Sequence, residues 1–324
     1  MVLDRSPVSE PVAQFQLSSR IFVTELSPFE WSANLIALGL ADSVIIGQIK
    51  LPEEDESCQE PEFERLREIH HDTRVQSLAW GPRTSQLVAP RCLQFATSGT
   101  DHKLRVFNTD TTQVNVKLFK GHSDYINGIV FEPESGELVG TCSDDHTAKL
   151  WDTNSGTCLH TFHLTSPGMS VCWHAAETGK LLVAQKSGVI SLFNSTNYAP
   201  ILSLDCCSSP LLGADWCQPN SMLVAAAVFS DIVYFDLSRP SLPTERKSLH
   251  GEGARMVKFS RAADSLVATI GKPGANLKVS QHRAGLVIVS NQKKIVGGGC
   301  SWHLRLPYLA VGNDRDIDLY KFSL

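Results

Sequence analysis

Apolar residues recur along this chain of 324 residues at fixed offsets that mark short strands. After His122 they fall at Ile126, Ile129 and Phe131, with Pro133 following; after His71 the same steps reach Val75, Leu78, Trp80 and Pro82. Each run predicts a strand entered from a turn and stopped by proline, which has no N–H to give to a sheet ladder. The large residue closing such a strand recurs as Leu26, Trp80, Phe131, Trp173, Trp216, Phe259 and Trp302. Their separations are 54, 51, 42, 43, 43 and 43 residues, so the chain reads as seven copies of one β-unit. No such unit buries its apolar faces alone, and the copies must stack.

The best-preserved copy opens with Gly121-His122, closes with Trp151-Asp152 and carries Asp145 six residues before the tryptophan. That spacing resembles a WD40 blade, whose period is roughly 40 to 45 residues. The resemblance implies an all-β, seven-bladed WD40 β-propeller. It also implies that His122, Thr141, Asp145 and Trp151 form a tetrad running from indole to hydroxyl to imidazole to carboxylate. The tetrad would fasten strands rather than catalyse, since a buried polar group without a partner costs about 1–3 kcal/mol. Other copies keep fragments: His71, Thr97 and Asp101 match, with Phe107 in the tryptophan place. Ser187 replaces the aspartate six residues before Phe193, and Phe235 and Tyr320 take the tryptophan place later on. After residue 160 the blade limits are defined only to within several residues.

The last copy has strands at 308–311 and 317–322 after Trp302, one fewer than a blade needs. The segment 12–17, ahead of a first inner strand at 21–26, is the predicted fourth strand and would close the ring; a disordered tail is the other reading of it. Residues 1–10, with Pro7, read as a disordered tail, leaving 11–324 as one propeller. An acidic loop at 52–64, with seven carboxylates between Glu53 and Glu64, reads as solvated.

Charged residues are 19% of the chain, the net charge is −5, and Lys and Arg are scattered, unlike a nucleic-acid footprint. Nine cysteines, an odd number without a C-x-x-C pair, fit buried thiols in a reducing compartment. Asp4, Pro7, Glu10 and Pro11 argue against a signal peptide or membrane helix, which leaves the Asn194-Ser195-Thr196 sequon idle. His160 and His163 lie three apart on a strand and face opposite sides, so they cannot share a metal ion; adjacent His70 and His71 cannot either. Gly271-Lys272-Pro273-Gly274 and Gly297-Gly298-Gly299 lack phosphate-loop or dinucleotide spacing and read as loops. No catalytic, cofactor-binding or metal-binding residue is expected, and function is placed on surfaces. Turns before inner strands and between middle strands share one face, which puts Arg74, Tyr125, Asp144 and His146 near the channel rim as partner-binding candidates. Tyr125 reads either as a contact anchor or as a ring packed over its own blade.

Residues 121–128, 143–147 and above all 166–174 resemble the family of thirty-seven-kilodalton WD-repeat nucleoporins. Asn34-Leu35-Ile36-Ala37, the acidic loop, Ser203-Leu204 and Ser301-Trp302-His303 are similar as well. The resemblance implies a non-catalytic scaffold subunit of the Y-shaped outer-ring complex of the nuclear pore, docked on the large helical nucleoporin of the long arm. It further implies support of pore assembly, mRNA export and protein transport, with a mitotic kinetochore role and neither direct nucleic-acid contact nor membrane insertion. Two other readings stay open. A substrate receptor of a ubiquitin ligase commonly carries arginine two residues after the Trp-Asp pair, where this chain has Thr153-Asn154. A peptide or histone-tail reader needs an acidic or aromatic-lined channel mouth, which Tyr125 and Asp144 permit.

Overall fold

In the computed structural model, residues 10–55, 57–85, 91–110, 113–272, 275–282, 287–293 and 299–322 are described. They form seven four-stranded antiparallel sheets. The inner strands are Val23–Leu26, Val75–Trp80, Ile126–Phe131, Gly168–Trp173, Leu211–Trp216, Gly253–Phe259 and Cys300–Trp302. Every one ends on a residue of the seven-fold repeat read from the sequence, and together the sheets make a seven-bladed β-propeller. The first inner strand begins two residues later than expected, although Ile21 ahead of it is fully buried.

The sheets face one another through apolar clusters, each lying between two successive blades. Blade 2 meets blade 3 through Leu104, Val106 and Phe119 against Ile126, Phe131 and Trp151. Blade 7 meets blade 1 through Tyr308, Ala310 and Leu319 against Ile21, Leu26 and Ile36. This last joint makes the stack a ring. Landmark tryptophans also reach across blades: the Trp80 indole N–H donates to Glu25 O at 2.9 Å and that of Trp302 to Lys258 O at 3.0 Å.

Blade 7 draws three strands from Cys300–Trp302, Tyr308–Asn313 and Asp316–Lys321, and its outer strand is Ala13–Gln16. That strand pairs antiparallel with Ala13 opposite Leu319 and Gln16 opposite Asp316, and Gln14 Nε2 donates to the buried Asp318 at 2.6 Å. The N-terminal segment therefore covers an edge that would otherwise present unpaired N–H and C=O groups. Residues 1–9 of the expected tail lie outside the described residues.

Three expectations need correction. The acidic loop stops short of residue 64, because Glu62 and Glu64 belong to the outer strand Glu62–His70 of blade 1, where Glu64 pairs with Lys50 at 3.0 Å. Its first half is pinned to blade 7: Glu53 meets Lys321 at 2.5 Å and Tyr308 Oη at 3.1 Å, and Glu54 meets Arg305 at 3.0 Å. Neutralisation by these groups lets so acidic a run fold back onto the ring. The nine cysteines are free thiols, but Cys158 and Cys207 are exposed, Cys158 on an outer strand. Gly271 and Lys272 end the strand Leu266–Lys272 and Ala275 starts the next; Pro273, Gly274, Gly297 and Gly298 lie outside the described residues. Among the described residues no helix is long and apolar enough to cross a membrane.

Candidate functional site

Blade 3 brings His122, Thr141, Asp145 and Trp151 into one chain of hydrogen bonds. The Trp151 indole N–H donates to Thr141 Oγ1 at 2.9 Å, which leaves the hydroxyl proton of Thr141 for His122 Nε2 at 2.8 Å. The proton of His122 then sits on Nδ1 and faces Asp145 Oδ2 at 2.7 Å. Asp145 also accepts from Ser123 N at 3.1 Å and from Thr147 Oγ1 at 2.6 Å. Burial holds the imidazole below its ordinary pKa despite the carboxylate, so it stays neutral, while the hydrogen bonds of Asp145 outweigh its own burial and lower its pKa. Nothing in this sealed chain is presented to a substrate.

Blade 2 solves the same problem differently. His71 Nε2 keeps Thr97 Oγ1 at 2.9 Å, but Asp101 turns to Arg105 at 2.8 and 2.9 Å and leaves His71 Nδ1 to Thr73 O. Phe107 cannot donate, and stacks instead on Phe95 with ring centroids 4.6 Å apart. Blade 6 holds a pair that the sequence reading missed, His250 Nε2 on Thr269 Oγ1 at 3.0 Å. The clue was present, since His250 precedes Thr269 by the 19 residues that separate His122 from Thr141. Burial and Lys278 push the His250 pKa down to about 4.

Along the ring axis runs a cavity of 850 Å³. Five inner strands begin with a bulge, in which one extra residue interrupts the pairing and turns its side chain aside. The bulged residues are Gln76, Asn127, Met169, Leu212 and Arg255, and all five line the cavity. Each stands four residues before its landmark, as does Phe22 in blade 1. The signal for this rim lies in the same repeat, at the position four residues ahead of these landmarks.

Of the four partner-binding candidates only Arg74 lines the cavity, its guanidinium 5.3 Å from the centre of the Phe22 ring. Asp144 accepts from the rim residue Asn127 at 2.8 Å. Tyr125 is 40% exposed and meets His102 of blade 2 edge-on at 4.8 Å, so its ring leans on the neighbouring blade and not on its own. His146 is exposed at a turn, with φ of 62°. Among the described residues no group of three His, Cys, Asp or Glu could hold a metal ion.

The run 166–174 ties three blades together. The oxygen of Gly168 accepts from Asn127 of blade 3, Ser170 Oγ accepts from Ala214 N of blade 5 at 2.9 Å, and His174 Nε2 donates to Cys217 O at 2.9 Å. A Cβ on Gly168 would sit 2.8 Å from Cys142 Cβ, which explains a glycine at that joint.

Seven blades, one sealed polar network and an open axial channel define a WD-repeat propeller. Residues 113–152 match the family described as WD domain, G-beta repeat. Over nearly the full length the chain is similar to proteins named Nucleoporin Nup37. The mouse protein is 38% identical over 304 residues and the human one 37% over 302, in both cases covering 92% of each chain. The Drosophila melanogaster protein is 30% identical over 323 residues, covering 98% of this chain and 99% of its own. The chain belongs to the Nucleoporin Nup37 family. WD-repeat propellers and nucleoporins are in general non-catalytic scaffolds.

Proposed function

We infer that this chain is a non-catalytic scaffold subunit of the outer-ring, Y-shaped complex of the nuclear pore. It docks there on the large helical nucleoporin of the long arm, supports pore assembly, mRNA export and protein transport, and joins kinetochores in mitosis. The observation that supports this reading is similarity to Nucleoporin Nup37 along 92% of the chain, not in one blade alone. The blade 3 tetrad, sealed as it is, fastens the strands of its own blade. Docking falls to exposed surfaces, which include Arg74, Tyr125 and His146. A stable interface of this kind buries upward of about 1,200 Å² in total. Native purification through a tag on this chain tests the reading. Outer-ring nucleoporins in stoichiometric amount, with a nuclear rim in interphase, are the expected result. A ligase adaptor in their place, or diffuse staining with no rim, overturns it.

A further inference from the structure

The axial cavity carries charge of the opposite sign to the chain. Among the described residues Arg20, Arg74, Arg255 and Lys258 line it against one lining carboxylate, Glu25, with Asp215 also acting on Lys258, although the net charge of the chain is −5. Glu25 is already engaged by Lys258 at 3.6 Å and by Ser301 Oγ at 3.0 Å, and Arg20 meets Asp314 at 3.7 Å. Arg74 and Arg255 have no carboxylate partner among the described residues. Burial pushes the thiols of Cys172 and Cys300 in the cavity wall up to about 12, so neither offsets the positive charge. Low-dielectric walls focus such a field on whatever enters.

The shape of the charge is informative. Arg20 and Arg74 hold their guanidinium groups over the Phe22 ring at 5.4 and 5.3 Å, on the side of blades 1 and 2. Arg255 comes from blade 6 across the ring, aimed inward by its bulge. Lys258 lies three residues further along the same strand, about 10 Å deeper at 3.3 Å per residue. Met169 and Leu212, apolar rim residues, stand in the same wall. With Lys258 engaged by Glu25, the two cations left without a carboxylate stand on different sides of the mouth with apolar surface between them, which fits an extended chain better than a compact polyanion.

We propose that the channel mouth on the Arg74 face binds an extended acidic segment of a partner protein. Its carboxylates meet Arg74 and Arg255, and its apolar side chains lie on Met169 and Leu212. The same charge opposes the histone-tail reading, because a lysine-rich tail would enter a cationic cavity. The proposal stands on the channel alone, so its failure would leave the nucleoporin reading intact.

The test is fluorescence anisotropy of the full chain with a labelled peptide alternating Glu and Leu, against a Lys–Leu control, with inositol hexakisphosphate as competitor. Saturable binding of the Glu–Leu peptide only is expected. Arg74→Glu with Arg255→Glu should weaken it by at least ~10-fold with an unchanged melting temperature. Should that pair melt early, Arg74→Gln with Arg255→Gln supplies the same reading. The idea fails if neither peptide binds, if both bind alike, or if the substitutions leave affinity unchanged. It also fails if inositol hexakisphosphate binds more tightly with the same sensitivity, which would mark a compact polyanion site.

Discussion

Blades 2 and 3 place an aspartate at the same point of the repeat and use it for opposite purposes. In blade 3 Asp145 accepts a hydrogen bond from the Nδ1–H of neutral His122; in blade 2 Asp101 is the counter-ion of Arg105. The cause is one residue on the third strand. Arg105 stands opposite Thr97 as Lys149 stands opposite Thr141, but Lys149 reaches outward to Thr161 Oγ1 whereas Arg105 is 5% exposed. A buried guanidinium demands a carboxylate before an imidazole does, and Asp101 accordingly has its pKa held far below the usual range, first by the Arg105 hydrogen bond. Departure from the repeat pattern is therefore not decay. It is a different way of satisfying the same buried groups.

The largest expected effect lies in the less regular blade. Asp101→Ala leaves the buried Arg105 charge with only the solvent-exposed Asp72, at 3.4 Å, as a partner and should cost up to about 3–5 kcal/mol in denaturant unfolding. Adding Arg105→Leu to that variant should restore much of the loss; equal stability of the single and double variants would show that Asp101 is no counter-ion. Asp145→Ala removes an acceptor from neutral His122 and should cost about 1–3 kcal/mol, less than Asp101→Ala. The reverse ranking would erase the contrast between the blades. Trp151→Phe, which deletes the indole donor, should likewise cost about 1–3 kcal/mol. The reciprocal Phe107→Trp should stabilise nothing, because the stack on Phe95 has no room and overpacking costs about 1–3 kcal/mol; a gain in melting temperature would contradict it.

The remaining effect is on pH. His71, His122 and His250 all have folded pKa values below 6.5, His250 at about 4. The unfolded chain then binds protons first on acidification, so their contribution is intact above 6.5 and is lost as pH falls toward about 4. Thermal melting should drop across that window. His250→Gln should drop less, and an identical drop would place the effect elsewhere.

How much was legible depended on sequence distance. The seven landmarks and the fourth strand of blade 7 could be read because alternation, prolines and offsets are local or repeat at a fixed interval. His250 with Thr269, and the cavity-lining residues four before six of the landmarks, follow the same rule. The fate of Asp101 was not readable from its own position: its offset matched Asp145, and only the burial of Arg105 redirected it. Nor did the acidic loop show its anchors, since Lys321 and Arg305 lie at the far end of the chain and come alongside only when the ring closes.

Repeat spacing alone thus sets the number of blades, the strand that ends each sheet and the need for an N-terminal strand in the last one. A chain of alternating apolar strands at one period has no other way to bury its faces. Which carboxylate serves which cation, and the positive channel inside a negative chain, were left to the tertiary structure. Electrostatic energy depends on distance through space and on exclusion of water, and closing the ring settles both for residues as far apart as Arg20 and Arg255.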